Sequence, residues 1–144
     1  MSDWNHTYFT TYRFWVEIDG LLVGSFSEVS GLESETEYET YEEGGVNSYS
    51  HRIPKRTKYP HLVLKRGMTD CSELWDWYEE VVNGKFKRKS GSIIMEDVSG
   101  KEKCRWNFYE AYPSKWTGPS LNATSSDVSI ETLELVHNGL KTIL

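Results

Sequence analysis

Apolar and polar positions alternate along much of this chain with a period of two, the spacing of strands that bury one face. In "RFWVEI", Phe14, Val16 and Ile18 fall on one side, and Arg13, Trp15 and Glu17 on the other. Asp19-Gly20 then leads into "LLVGSFSEV". Asp-Gly between two β-prone runs predicts a tight hairpin turn, because that turn needs positive φ. The first hairpin is expected over Tyr12–Val29. "HLVLKRG" gives a short strand with Leu62 and Leu64 on one face. "GSIIMEDVSGKEKCRWNFYEAY" predicts a second hairpin turning at Ser99-Gly100, with Cys104, Trp106 and Phe108 opposite Arg105, Asn107 and Tyr109. "PSKWTGPSLNATSSD" reads as loop with a short strand around Trp116. "VSIETLELVH", the last long strand, changes parity between Ile130 and Leu133, and a bulge near Thr132 would restore one face.

One segment departs from this period. In "TDCSELWDWYEEVVNGK" a helical projection places Leu74, Trp75, Trp77, Tyr78, Val81 and Val82 on one broad arc. Glu73, Asp76, Glu79, Glu80 and Asn83 share the other. Asp70 with Glu73 fits a capping box, and Gly84 fits a left-handed terminator. The helix is expected over about residues 70–83, its aromatic arc packed on the core. The expected fold is mainly β: a two-sheet antiparallel barrel or sandwich with this one flanking helix. At 144 residues a single domain spanning residues 1–144 suffices.

A second stretch has the strand period but no apolar face. In "SGLESETEYETYEEGG", Glu33, Glu35, Glu37 and Glu39 fall on one side, and Ser34, Thr36, Tyr38 and Thr40 on the other. Such a strand cannot lie over an ordinary core. The plainer reading is a solvated edge strand protected by charge. The sharper one is a strand facing a water-filled lumen or extending a neighbouring subunit's sheet. A calcium site fits poorly, since a strand splays its carboxylates rather than wrapping one ion. "GGVNSYSHRIPKRTKYP" (Gly44–Pro60) reads as a long loop carrying Arg52, Lys55, Arg56 and Lys58, a length typical of functional or mobile segments. The two oppositely charged blocks suit matching between subunits or within one chain.

Charge and chemistry narrow the function. The formal charge of −6 argues against a general nucleic-acid binder. No apolar run reaches the length of a membrane span, no secretory signal is visible, and no membrane anchor is expected. Cys71 and Cys104 form neither a CxxC nor a zinc spacing, so two reduced thiols are expected. His6, His51, His61 and His137 are scattered, and no metalloprotease, nucleophile-elbow, P-loop or dinucleotide motif is present. Cys71 in the first helical turn is the one hint of a nucleophile, without a partner base. No catalytic, metal or cofactor site is expected. Six Trp, nine Tyr and five Phe leave an exposed aromatic surface open, so a carbohydrate-binding β-sandwich is the alternative reading.

"EVSGLESETEYETYEEGG", "RIPKRTKYPHLVLKRGMTDCSELWDWYEEVVNGK" and "WNFYEAYPSKWTGPSLNATSSDVSIETLELVHNGL", in this order, resemble the inner tail-tube protein of contractile phage tails and phage-tail-like injection systems. The resemblance runs over roughly Tyr12 to Leu140. It implies a non-enzymatic structural subunit that closes into hexameric rings stacked as a rigid tube. The partners implied are further copies, a contractile sheath, baseplate and tube-initiator proteins, and a channel cargo of protein or DNA. Assembly in the bacterial cytoplasm and release as a particle or virion tail are implied as well. By the same resemblance, Glu33, Glu35, Glu37 and Glu39 belong to a lumen or inter-subunit strand. Arg52, Lys55, Arg56 and Lys58 belong to an inter-ring or inter-subunit loop. Glu73, Asp76, Glu79 and Glu80 form an outer helix face toward a neighbour or the sheath.

Overall fold

The computed structural model describes residues 13–19, 21–41 and 51–144. In chain order the elements are β1 (Arg13–Ile18), β2 (Leu21–Ser25), β3 (Glu28–Ser30), β4 (Glu35–Tyr41), β5 (His51–Lys58), β6 (Leu62–Gly67), α1 (Glu73–Val82), β7 (Lys89–Glu96), β8 (Glu102–Thr117), β9 (Ile130–Val136) and β10 (Gly139–Ile143). Every strand pairing is antiparallel. One sheet runs β2-β1-β7-β8-β10 and a second β8-β9-β6-β3, so the long β8 belongs to both. The mainly β, two-sheet expectation with one helix holds.

The turn from one sheet to the other has a local cause. Along β8 an extra residue is inserted between the partners of Lys89 and Gly91, and Glu110 takes φ of 54° there. A bulge of this kind bends its strand and lets it change sheets. Gly91 sits opposite, where a side chain would meet the Glu17 carbonyl at 2.3 Å and the Phe108 ring at 2.5 Å. Glycine there lets Phe108 cross β7 into the centre of the core.

Between the sheets, Val16, Ile18, Leu62, Leu64, Ile93, Phe108, Leu133 and Leu135 form one cluster closed by Leu74 and Trp77 of α1. Burying each such side chain contributes about 1.5–3 kcal/mol. The first hairpin pairs β1 with β2 and ends at Ser25. The expected extent to Val29 is too long, because residues 28–30 cross to the second sheet as β3, pairing β6. Gly20 and Tyr12 lie outside the described residues. The strand expected around Trp116 is the end of the 16-residue β8, which takes residues 113–117 of the segment expected to be loop and leaves residues 118–127 without a strand. After β9, the shorter β10 of five residues pairs with β8.

The bulge expected near Thr132 is absent: β6 and β9 keep one register from Leu62↔Leu135 to Gly67↔Ile130. The buried side of β9 is Glu131, Leu133 and Leu135, continued by His137 just after the strand. The parity looked broken because its first inward residue is a carboxylate. Glu131 stands opposite Arg66, with Oε1 3.4 Å from Nε, and the Arg66 guanidinium also reaches Glu73 of α1 at 3.2 Å. Charge neutralisation allows these polar groups into the core.

The helix starts at Glu73, not Asp70. Ser72 occupies the N-cap position without a side-chain capping bond; its hydroxyl donates to Asp76 Oδ2 at 2.9 Å. At the other end Gly84 takes φ of 72°, its N–H bonded to the Val81 carbonyl and that of Lys85 to the Glu80 carbonyl. These two bonds are the Schellman termination expected of Gly84.

Candidate assembly surfaces

β4 and β5 form a two-stranded sheet of their own. Every residue of β5 is exposed, and along β4 only Glu37 is half-buried. The segment expected to be a loop is therefore a strand over residues 51–58, while residues 44–50 of that loop lie outside those described. Its charge and its proline hid it. Pro54 lacks an N–H to donate, which a strand in a solvated hairpin tolerates. We call the pair the arm. At about 3.3 Å per residue its eight-residue strand is roughly 26 Å long.

The arm joins the body where the chain enters and leaves it. Gly31 takes φ of 90°, and a side chain on it would lie 2.0 Å from the His61 carbonyl. This contact brings together the chain entering the arm and the chain leaving it. Glycine is required there by both the backbone conformation and the space.

The structure brings the two charged blocks together within one chain. Glu35 stands opposite Lys58, and the Lys58 ammonium pairs with the Glu37 carboxylate. That bond, with Arg56 and Lys55 beside it, holds the Glu37 carboxyl below its ordinary range. Arg56 and Lys55 lie where the strand register shifts opposite Glu37. On the other face Arg52 stacks over the Tyr38 ring at 5.4 Å, and the hydroxyls of Thr36 and Thr57 bond at 3.0 Å. Glu39 faces Ile53, while Glu33 precedes the strand. Exposed pairs of this kind contribute little stability, typically under about 1 kcal/mol. Tyr38, Tyr41 and Ile53 are each more than half exposed on this arm.

The helix face divides differently from its expected arcs. Glu73 is not outward: it turns inward to Arg66. Asp76, Glu79 and Glu80 are exposed. Of the two tryptophans, Trp77 is buried and donates through Nε1 to the Lys87 carbonyl at 3.4 Å. Trp75 is instead 41% exposed and meets Trp116 edge-on, 4.9 Å between centroids at 69°. Val82 is exposed too. A helix resting on a curved sheet buries a narrower stripe than its apolar arc. Trp106 and Trp116 pack against the core, so Trp75, Trp106 and Trp116 make no coplanar row for a sugar.

Cys71 precedes the helix and is exposed; Cys104 is buried, and burial pushes its thiol up. Neither forms a disulfide. Among the described residues no helix is long and apolar enough to cross a membrane.

Sequence reasoning missed Arg66, Glu131 and His137. His137 is buried at the start of the β9–β10 turn, its Nδ1 3.0 Å from the Gly139 carbonyl and its ring 5.4 Å from that of Tyr59 at the arm's exit. Burial lowers its pKa, against the favourable carbonyls of Gly139 and Pro60. The available signal was parity: Glu131 and His137 share the parity of Leu133 and Leu135.

The sequence profile of the family described as T4-like virus tail tube protein gp19 matches residues 10–141. A sequence comparison with curated proteins found no match. Among solved structures, a chain of the PVC extracellular contractile injection system, in a sheath-tube complex in the extended state, is 25% identical with a TM-score of 0.84, covering 93% of this chain and 90% of that one. A chain of the anti-feeding prophage baseplate is 24% identical at a TM-score of 0.85, covering 96% and 97%. Hcp1 from Flavobacterium johnsoniae shares the fold at 18% identity and a TM-score of 0.63, covering 91% and 94%.

Proposed function

The chain belongs to the T4-like virus tail tube protein family, and we propose that its arm is what joins one copy to the next. It is a structural subunit of an inner tube, not an enzyme. The observation that carries the proposal is the arm itself. A solitary two-stranded hairpin is marginally stable in water, and this one has no core beneath it. Seated on a neighbouring copy, it would gain a third strand, or an apolar floor for Tyr41 and Ile53 on one face or for Tyr38 on the other.

In this reading Glu35, Glu37 and Glu39 belong to the inter-subunit strand, with Glu33 just before it. Arg52, Lys55, Arg56 and Lys58 lie on its partner strand and meet the next ring or a neighbour within the ring. With Glu37 already paired to Lys58 within the chain, docking rests on backbone pairing and apolar contact as well as on the remaining charges. Six copies close a ring and rings stack around a channel. Asp76, Glu79 and Glu80 face outward toward a sheath like that of the PVC sheath-tube complex. A baseplate and initiator would start the tube, and assembly would precede release of the particle from the bacterial cytoplasm.

Electron microscopy tests this. Purified protein, or protein made with its tail partners, is expected to give rings or tubes of uniform width. Persistent monomers under every assembly condition, baseplate partners included, would overturn the proposal.

A further inference from the structure

The first sheet, β2-β1-β7-β8-β10, has a face that none of the surfaces above uses. Its outermost strands, β2 and β10, each pair on one side only among the described residues. In the second sheet the β8 side is flanked by α1 and the chain that follows it, with Trp75 on Trp116 and the Phe86 ring 5.1 Å from that of Tyr112. The first sheet is therefore the one free to continue from copy to copy through both edges, with the second sheet and the helix behind it.

The outward face of this sheet is charge-balanced. Arg13 meets Glu96 at 2.9 Å. Arg105 meets Glu102 at 2.8 Å and Glu17 at 3.9 Å, and Lys103 meets Asp97 at 3.6 Å. With Lys141, opposite Asn107 on β10, four cations face four carboxylates. Among the described residues, the excess of carboxylates over cations therefore lies off this face. Trp15, Tyr109 and Ile143 stand among the pairs, each about two-fifths exposed.

We propose that this face lines the channel of the assembled tube and that its balanced, aromatic-studded surface suits a polypeptide cargo rather than DNA. The inference rests on the tube reading. Duplex DNA carries a charge every ~1.7 Å and binds wherever cations release its counterions. A wall that lets it slide must repel it, and a wall with Arg13 and Lys141 open to solvent does not. A polypeptide of mixed charge feels little net field from such a wall. Short contacts with Trp15, Tyr109 and Ile143 hold it without a fixed sequence.

Two measurements on assembled tubes test this, in a Cys71→Ser background. A bulky PEG-maleimide should modify Glu79→Cys in intact tubes but not Glu17→Cys, and both in dissociated subunits. Modification of Glu17→Cys in intact tubes overturns the wall assignment. Tubes assembled with a fluorescent unstructured polypeptide should protect it from protease at least about tenfold better than they protect a DNA duplex from nuclease. Equal protection, or protection favouring DNA, overturns the cargo class. Glu17→Lys/Glu96→Lys/Glu102→Lys should reverse that preference, and an unchanged preference counts against the wall as the selecting surface. Absence of tubes by electron microscopy is a separate result, which sinks the tube reading instead.

Discussion

Glu131→Leu is expected to destabilise the subunit severely, and Arg66→Met/Glu131→Leu much less. The Arg66 and Glu131 side chains are 9% and 4% exposed, 3.4 Å apart. At an effective dielectric of ~20 that separation corresponds to about 5 kcal/mol of attraction, offset by several kcal/mol of desolvation per ion. The contact is an ion pair without a directed hydrogen bond, since Arg66 Nε meets no acceptor with good geometry. The intact pair therefore adds little net stability, while breaking it strands a buried guanidinium. Removing one partner of a buried pair costs about 3–5 kcal/mol. For a chain of this size that is a fall of roughly 10–20 °C in Tm. Glu73, 20% exposed, compensates only in part. The double variant replaces the pair by apolar groups beside Phe26, over which Arg66 already stacks at 5.7 Å, and is expected within about 1–2 kcal/mol of wild type. Urea unfolding of unassembled subunits, followed by tryptophan fluorescence, measures both. A Glu131→Leu cost below about 1 kcal/mol, or a double variant no better than the single, would refute the reasoning.

Three further outcomes follow from the same contacts. Trp77→Ala should cost about 3–5 kcal/mol in the urea experiment and Trp75→Ala under about 1 kcal/mol, because only the first empties a core site; equal costs would contradict the packing described. Burial lowers the pKa of His137 from 6.5, so the stability it lends as a neutral ring is complete above 6.5 and is lost as pH falls toward the lower folded value. Wild type minus His137→Gln should show that slope, no steeper than about 1.4 kcal/mol per pH unit; a flat difference from pH ~7.5 to ~5 contradicts it. Glu35→Lys/Glu37→Lys/Glu39→Lys should leave the subunit's urea midpoint nearly unchanged, since these side chains cover no core, while making the arm strongly cationic and impairing tube formation in electron micrographs; global unfolding would contradict the isolation of the arm.

Elements whose apolar residues alternate were legible in the sequence, and elements stabilised by other means were not. Phe14, Val16 and Ile18 declared β1, and Cys104, Trp106 and Phe108 the start of β8, because one buried face imposes period two. β5 has no buried face, and Pro54 with four cations reads as loop. Glu131 broke the pattern of β9 because a charge enters the core only when another element, here Arg66 of β6, neutralises it. Trp75 and Trp77 both lie on the apolar arc, and only the curvature of the sheet below decides which is buried. The acidic strand was recognised as a candidate surface from its lack of an apolar face, but its matching to Lys58 depends on a partner strand the sequence did not reveal.

Hydrogen–deuterium exchange of the arm, compared between unassembled subunits and tubes, tests most directly whether β4 and β5 join copies. Backbone amides of Glu35–Tyr41 and His51–Lys58 are expected to exchange quickly in the subunit, as in a hairpin without a core, and to gain at least about a hundredfold protection in the tube, equivalent to ~2.7 kcal/mol. Exchange that stays fast in well-formed tubes, or is already slow in isolated subunits, would contradict the arm's role as the link between copies.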